Sequence, residues 1–215
     1  MKKKKLIVIG DSITKGTYTG INDKYPASIA RPNFTDAIAK HFDLEYINYG
    51  MNGVSISSLS PQLPEWAICK QTETYESADI VVVAAGTNDW GGCVPFGNKK
   101  DKMDCSFYGA LYLLYSKIKE KYKNSIIFVI TPILREGESK NKKGNSLQQY
   151  REIIKSRAEE FGFIAIDGES IPINPENERD RDSYILDGTH PNVAGHRLLS
   201  EHLIKAMEKF LNKLT

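Results

Sequence analysis

Cysteine is scarce in this sequence, and its spacing carries no metal-binding or redox pattern. The 215 residues include three cysteines, Cys69, Cys93 and Cys105, with no C-x-x-C and no paired metal spacing. We expect three reduced thiols in a reducing compartment. Cys93 and Cys105 flank one loop, and the sequence leaves open whether they pair.

Long apolar runs are also missing. No stretch approaches the roughly 20 apolar residues of a membrane span. A lysine run at positions 2–5 resembles the start of a secretory signal, but the apolar run behind it, Leu6–Ile9, stops at Gly10. A signal peptide needs about 7–15 apolar residues and a small-residue cleavage site. We therefore expect no membrane span and a cytoplasmic location for the chain as given.

The chain also has almost no excess of positive over negative charge. The formal net charge of +2 is too small to indicate a nucleic-acid surface, and the lysine runs are typical of solvated tails and loops. With 40% hydrophobic and 26% charged residues, the composition is that of an ordinary globular protein. We expect a small-molecule partner and no nucleic acid.

What the chain does contain is a series of short apolar runs rich in valine and isoleucine. They do not alternate polar with apolar residues, which is typical of parallel strands covered on both faces. The predicted strands are Leu6–Ile9, Leu44–Tyr49, Ile80–Ala85, Ile126–Ile130 and Phe163–Ile166.

Segments with helical spacing lie between these runs. Apolar residues share one helical face in residues 34–42, 108–118, 147–158 and 192–210, and Gly162 ends the third of these segments. Strands that alternate with helices predict an α/β fold, a three-layer α/β/α sandwich on a five-stranded parallel sheet, with residues 1–215 forming a single domain. His41, His196 and His202 fall in helical stretches, where we expect them at or near the surface.

Ligands of such sheets bind beyond the carboxyl ends of the strands. The first predicted strand is followed there by Gly10-Asp11-Ser12, and a serine at a strand-to-helix turn can present both its hydroxyl and its backbone N–H. The alternative is that Ser12 only caps the next turn. The segment does not match a Walker A loop, and Thr14 replaces the last glycine of a G-x-S-x-G elbow.

Two further segments follow the second and third strands. Gly53 can bring its backbone N–H close to a substrate, or it can simply allow a tight turn. Asn88, in Gly86-Thr87-Asn88-Asp89, can donate its side-chain amide to an oxyanion, or it can form a local Asx turn.

A fourth segment, Asp187-Gly188-Thr189-His190-Pro191, precedes the last predicted helix. Asp187 and His190 are three residues apart, so one turn can bring the carboxylate to the imidazole, as the acid of a catalytic triad requires. The pair could instead bind a cation, and a metal-dependent phosphoesterase using Asp11, Asp187 and His190 is an alternative. Together, the four segments supply the nucleophile, base, orienting acid and oxyanion donors of acyl transfer.

These segments resemble the four motif blocks of the SGNH/GDSL hydrolase family, in order and over nearly the whole chain. The resemblance implies Ser12 as nucleophile, Asp187 and His190 as the other triad members, and the groups of Ser12, Gly53 and Asn88 as the oxyanion hole. It also implies a flavodoxin-like sandwich with no metal and no organic cofactor. Ile13 replaces the leucine of the family name, which is a conservative change.

The resemblance implies hydrolysis of a small-molecule ester through an acyl-enzyme. We expect short-chain or acetyl esters, including those of carbohydrates, because the loops carry no extended apolar stripe. The alternatives are a lysophospholipase or thioesterase and a non-catalytic binding module. The loop from Trp90 to Asp104 is expected to shape the site, and the loop from Arg135 to Gly144 to be merely polar and mobile. Trp66 and Trp90 could stack on a sugar, but we expect both in the core.

Overall fold

The computed structural model describes residues 3–20 and 28–211. Lys2, part of the lysine run expected to be solvated, lies outside them. The strands are β1 (Lys5–Gly10), β2 (Thr17–Tyr18), β3 (Ser28–Ile29), β4 (Glu45–Gly50), β5 (Ile80–Ala84), β6 (Ile126–Ile130) and β7 (Ile164–Ile166). The α-helices are α1 (Ser12–Lys15), α2 (Phe34–His41), α3 (Thr87–Gly91), α4 (Phe107–Lys121), α5 (Leu147–Phe161), α6 (Glu178–Tyr184) and α7 (Val193–Leu211). Short 3-10 turns lie at Pro64–Trp66, Ile68–Lys70, Thr72–Thr74 and Gly168–Ser170.

Five of the strands form one parallel sheet in the order β4-β1-β5-β6-β7. The predicted fold class is therefore confirmed, and each predicted strand agrees with an observed one to within a residue or so. β4 departs from the expected burial: it is an edge strand, and its side chains are partly exposed or exposed. The additional β2–β3 pair is antiparallel and too short for its pattern to be recognised in the sequence.

Two hydrophobic cores cover the two faces of the sheet. Ile7 and Ile9 of β1 face the core formed with α4 and α5, whereas Leu6 and Val8 face the core formed with α2 and α7. This alternation follows from the period of two in a strand. It explains why β1 is apolar throughout, since both of its faces are buried.

The four predicted helical segments correspond to α2, α4, α5 and α7, and side chains mark where they begin. Asn33 and Asp36 form a capping box at the start of α2, and Ser146 and Gln149 form another at the start of α5. Gly162 ends α5 in the left-handed conformation (φ 74°), as its position predicts. The short helices α1, α3 and α6 carry too few residues for a periodic signal.

One histidine contradicts the expectation of surface positions. His196 of α7 is 0% exposed, whereas His41 and His202 are at least partly exposed. The Nδ1 of His196 accepts the backbone N–H of Phe34 (3.4 Å), and its ring stacks on that residue. Burial lowers the pKa of His196 to about 4. The imidazole therefore joins α7 to the beginning of α2 as a neutral acceptor.

The remaining expectations about single side chains have mixed outcomes. All three cysteines are free, so Cys93 and Cys105 do not pair. Trp90 is buried as expected, but the core prediction for Trp66 is wrong, because that side chain is 48% exposed in a short turn. Over residues 3–20 and 28–211, no helix is both long and apolar enough to cross a bilayer.

Candidate active site

The ends of three neighbouring strands bring the first three predicted segments to one edge of the sheet. β1 leads into Ser12, β5 leads into Asn88, and β4 leads into the turn that contains Gly53. The backbone N–H of Met51 donates to the carbonyl of Gly10 (3.0 Å), which holds that turn against the end of β1. The site therefore lies at the point where the strand order reverses, as expected for an open α/β sheet.

Ser12 begins α1 immediately after β1. The Asp11 side chain caps this helix by accepting the N–H of Ile13 (3.0 Å). Gly10 is required because a Cβ at that position would overlap the Thr14 side chain and the carbonyl of Ala84. Burial raises the pKa of the Asp11 carboxyl to about 6. This close packing holds Ser12, which is 6% exposed, at the sheet edge.

Ser12, His190 and Asp187 form a continuous chain of hydrogen bonds. The Oγ of Ser12 lies 2.8 Å from the Nε2 of His190. The Nδ1 of the same ring lies 2.7 Å from the Oδ2 of Asp187. If the carboxylate holds the proton on Nδ1, the Nε2 is free to accept the serine proton.

Asp187 is surrounded by donors. Its Oδ1 accepts the backbone N–H groups of Thr189 (2.9 Å) and His190 (2.7 Å), and its Oδ2 also accepts the hydroxyl of Thr19 (2.7 Å). Burial raises the pKa of Asp187, but the hydrogen bonds and the charge of His190 outweigh it and bring the pKa to about 2. The carboxylate is therefore ionised throughout the neutral range.

The first three predicted segments contain three N–H donors that remain available to a ligand. Neither the backbone N–H of Ser12 nor that of Gly53 donates to an acceptor in the described part of the chain. Gly53 has a φ of 74°, which glycine adopts without strain. The amide of Asn88 donates one N–H to the carbonyl of Val54 (2.8 Å), and this bond links the third segment to the second.

Asp89 fastens the same two segments more firmly. Its fully buried carboxylate accepts the backbone N–H groups of Ile56 and Ser57, both at 2.9 Å. Burial raises the pKa of this carboxyl to about 7. α3 thus carries Asn88 and also anchors the chain that follows Gly53.

Two side chains beside the site were missed by the sequence analysis. Thr19 follows β2, a strand that was not predicted, and reaches Asp187 only through the tertiary fold. Arg135 donates from Nη1 to the hydroxyl of Thr87 (3.1 Å), next to Asn88, and its guanidinium lies 4.8 Å from the centre of the Trp90 ring. Neither residue stands at a motif spacing, so no local signal identifies it.

The loop from Arg135 to Gly144 is more firmly held than expected. Arg151, almost fully buried, donates to both carboxylate oxygens of Glu138 and to the carbonyls of Pro132 and Ile133. The N–H of Glu136 donates to the carbonyl of Gly188 (2.7 Å), which ties the loop to the Asp187 segment. These bonds connect the loop to α5 and to the Asp187 segment, and the sequence did not indicate these contacts.

The Trp90–Asp104 loop also contacts the Gly53 segment. The Asp104 carboxylate accepts the hydroxyl of Ser57 (2.6 Å) and the backbone N–H of Ser58 (3.0 Å).

Within the described residues, no group of three or more His, Cys, Asp or Glu side chains is arranged to hold a metal ion.

The structure defines an α/β protein with a five-stranded parallel sheet and a Ser–His–Asp arrangement at one sheet edge. The sequence comparison narrows this class to a family. The pattern of the GDSL-like Lipase/Acylhydrolase family matches residues 8–198. The chain belongs to that family, and this membership supports a carboxylic ester hydrolase.

Individual relatives are distant in sequence and similar in length. An acetylxylan esterase from Geobacillus stearothermophilus is 24% identical over 212 residues, covering 94% of this chain and 92% of the relative. A solved structure from Lactobacillus plantarum has a TM-score of 0.82 at 23% identity and covers 98% of this chain and 99% of its own. A possible lipase from Chitinophaga pinensis DSM 2588 has a TM-score of 0.75 at 20% identity, with 96% and 98% covered.

Proposed function

We propose that the protein hydrolyses carboxylic esters through a covalent acyl-enzyme formed on Ser12. The observation that carries the proposal is the chain of hydrogen bonds from Ser12 through His190 to Asp187. A nucleophile, a base and an orienting acid in this order are what acyl transfer by a serine enzyme requires.

In the acylation step, the Oγ of Ser12 attacks the ester carbonyl while the Nε2 of His190 takes its proton. Asp187 orients the imidazole and balances the positive charge that it acquires. The imidazolium then protonates the leaving alcohol as the carbonyl–oxygen bond breaks. Water, deprotonated by the same imidazole, attacks the acyl-enzyme. The imidazolium returns that proton to the Oγ of Ser12 as the acid leaves.

The negative charge that forms on the carbonyl oxygen needs donors that are already in place. We assign the stabilisation of this charge to three donors: the N–H groups of Ser12 and Gly53 and the second amide N–H of Asn88. Their positions are set before substrate binds, because Asn88 and Asp89 hold the Gly53 segment. Donors that need no rearrangement contribute most to transition-state stabilisation.

We propose acetyl or other short acyl groups as the transferred part, including acetyl groups on carbohydrate. The support for this proposal is that one relative over nearly the whole chain is an acetylxylan esterase.

The test is hydrolysis of p-nitrophenyl acetate, butyrate and octanoate by the wild type and Ser12→Ala, with EDTA present. We expect chelator-resistant turnover that falls from acetate to octanoate and is lost in the variant. Covalent labelling of Ser12 by a fluorophosphonate, read by mass spectrometry, gives a second readout that does not depend on the choice of ester.

Each alternative predicts a different result. Turnover that survives Ser12→Ala contradicts the serine mechanism, and turnover abolished by EDTA supports the metal-dependent alternative. A wild type that neither labels nor hydrolyses any of the esters supports the non-catalytic binding module.

A further inference from the structure

Arg135 places a positive charge beside the candidate active site. The hydrolytic mechanism does not use this charge. Its side chain reaches from the loop after β6 to the first turn of α3, where Nη1 donates to the hydroxyl of Thr87. Thr87 directly precedes Asn88, so the guanidinium lies next to the segment that carries the amide donor. The neighbouring residue, Glu136, contacts the Asp187 segment through its backbone.

The guanidinium has no carboxylate partner. In the described part of the chain, Arg135 forms no ion pair, its Nε is buried without a hydrogen-bond partner, and its Nη2 also has none. Nε is enclosed by protein atoms, so a ligand does not reach it in this arrangement. Nη2 is the donor that stays available, and a hydrogen bond from it to a carboxylate would be charge-assisted.

The nearby carboxylates cannot supply the missing partner, because each is already bonded elsewhere. Burial lowers the pKa of Arg135, while the charges of Asp187, Asp11 and Glu138 favour its charged form. Asp187 is bonded to the His190 segment, Asp11 caps α1, and Glu138 is paired with Arg151.

Trp90 supports the guanidinium from one side. Its indole ring lies under the cation at 4.8 Å and is itself fixed by a bond from Nε1 to the carbonyl of Asn145 (3.0 Å). A cation–π contact of this kind holds an arginine in place but leaves its edge donors unused. Nη2 has no hydrogen-bonded carboxylate in the described part of the chain, and a carboxylate from a ligand would supply one.

We propose that Arg135 is a substrate-binding residue and that it selects esters that also carry a carboxylate. The inference rests on the proposed ester hydrolysis and adds the charge of the preferred substrate. An arginine is suited to this role because its planar guanidinium can keep Nη1 on Thr87 while Nη2 donates to a ligand, which a lysine ammonium cannot do in the same geometry.

The test compares kcat/KM for two matched pairs of esters in the wild type, Arg135→Gln and Arg135→Lys. One pair places the carboxylate on the leaving group, 4-acetoxybenzoate against its methyl ester. The other places it on the acyl group, mono-4-nitrophenyl succinate against 4-nitrophenyl butyrate. For at least one pair, we expect the ratio of anionic to neutral ester to fall about 10- to 100-fold in Arg135→Gln, and less in Arg135→Lys.

Arg181→Gln is the matched control. Arg181 is a partly exposed cation bonded to Glu136, on the same loop, but not to α3. We expect the ratio of anionic to neutral ester in Arg181→Gln to stay within about twofold of the wild-type ratio. Arg181 would act on the substrate only through a screened charge at a distance, which is weaker than a direct hydrogen bond. Equal losses in Arg135→Gln and Arg181→Gln would overturn the contact, as would ratios unchanged by Arg135→Gln in both pairs.

Binding separates this inference from the hydrolytic proposal. Calorimetry of 4-acetoxybenzoate with Ser12→Ala, with and without Arg135→Gln, needs no turnover. Weaker binding of about tenfold or more on loss of Arg135 supports the inference even if no ester is hydrolysed. Equal binding overturns it, even if Ser12-dependent hydrolysis is observed.

Discussion

Asp187 illustrates how much a single carboxylate can organise. Each of its oxygens accepts two hydrogen bonds, and these fix the turn from Asp187 to His190 as well as the direction of the imidazole. Among the described residues, Thr19 supplies the one bond to Asp187 that comes from a distant part of the chain. Its hydroxyl keeps Oδ2 in line with Nδ1, so we regard Thr19 as a positioning residue for the proposed triad.

Thr19→Val should lower kcat about tenfold with little change in KM. Loss of a hydrogen bond to a charged acceptor corresponds to about 1.5–3 kcal/mol at most, part of which water replaces. Thr19→Ser keeps the hydroxyl and should restore most of the rate. Steady-state kinetics on p-nitrophenyl acetate give both values, and equal rates in the valine and serine variants would remove Thr19 from the site.

Asn88→Ala should lower kcat by roughly 100- to 1000-fold, the usual effect of removing one oxyanion donor. The same kinetic assay checks it. Asn177→Ala, which removes an amide from the beginning of α6, is the control and should leave the rate unchanged. Normal turnover in Asn88→Ala would show that the amide does not contact the oxyanion.

Among elements, the loop after β6 depends on one buried arginine. Arg151→Met should destabilise the protein by about 2–4 kcal/mol, because the change removes a partly buried ion pair and leaves two carbonyls without donors. Urea denaturation measures this value. Arg197→Met, which removes an exposed pair on α7, should change stability by less than about 0.5 kcal/mol. Similar values for the two variants would contradict the account.

The local sequence pattern was sufficient to predict the strands and helices that are long or buried. It was also sufficient to identify the candidate site residues that stand at motif spacings. β1 and β6 are continuous apolar runs, and Ser12, Asn88 and Asp187 each follow or precede such an element. The burial of His196 could have been predicted from the sequence, because it shares a helical face with Leu199 and Leu203, both buried. The contacts of Thr19 and Arg135 could not, because their partners are distant in sequence and only the folded sheet brings them together.

At the scale of the whole molecule, the two cores share a single sheet. Adjacent residues of β1 belong to opposite cores, so neither core can be lost while the sheet stays intact. We therefore propose that residues 1–215 are one domain and predict one cooperative unfolding transition. Far-ultraviolet circular dichroism and tryptophan fluorescence should give the same urea midpoint, and two separated midpoints would contradict the single domain.

Buried ionisable groups make stability depend on pH in opposite directions. The pKa of Asp89 is raised from 3.8 to about 7, so its contribution to stability is fully present below about pH 3.8 and is lost as the pH rises to about 7. The pKa of His196 is lowered from 6.5 to about 4, so its contribution is present above about pH 6.5 and is lost as the pH falls to about 4.

Two neutral variants should separate these contributions. Relative to the wild type, Asp89→Asn should gain stability as the pH rises from about 4 to 7, and His196→Gln should gain as the pH falls from about 6.5 to 4. At about 1.4 kcal/mol per pKa unit, each change is on the order of 3–5 kcal/mol. Urea midpoints across this range provide the measurement, and parallel pH curves for the wild type and both variants would refute the assignment.

Ser12 and His190 are separated by 178 positions in the chain, yet they share one hydrogen bond. During synthesis, Ser12 is therefore made well before the residue that we propose as its base. Under the proposed mechanism, the serine cannot be activated until the segment with His190 has been made and has docked beside the end of β1. The start of turnover would then report that these two distant segments have come together.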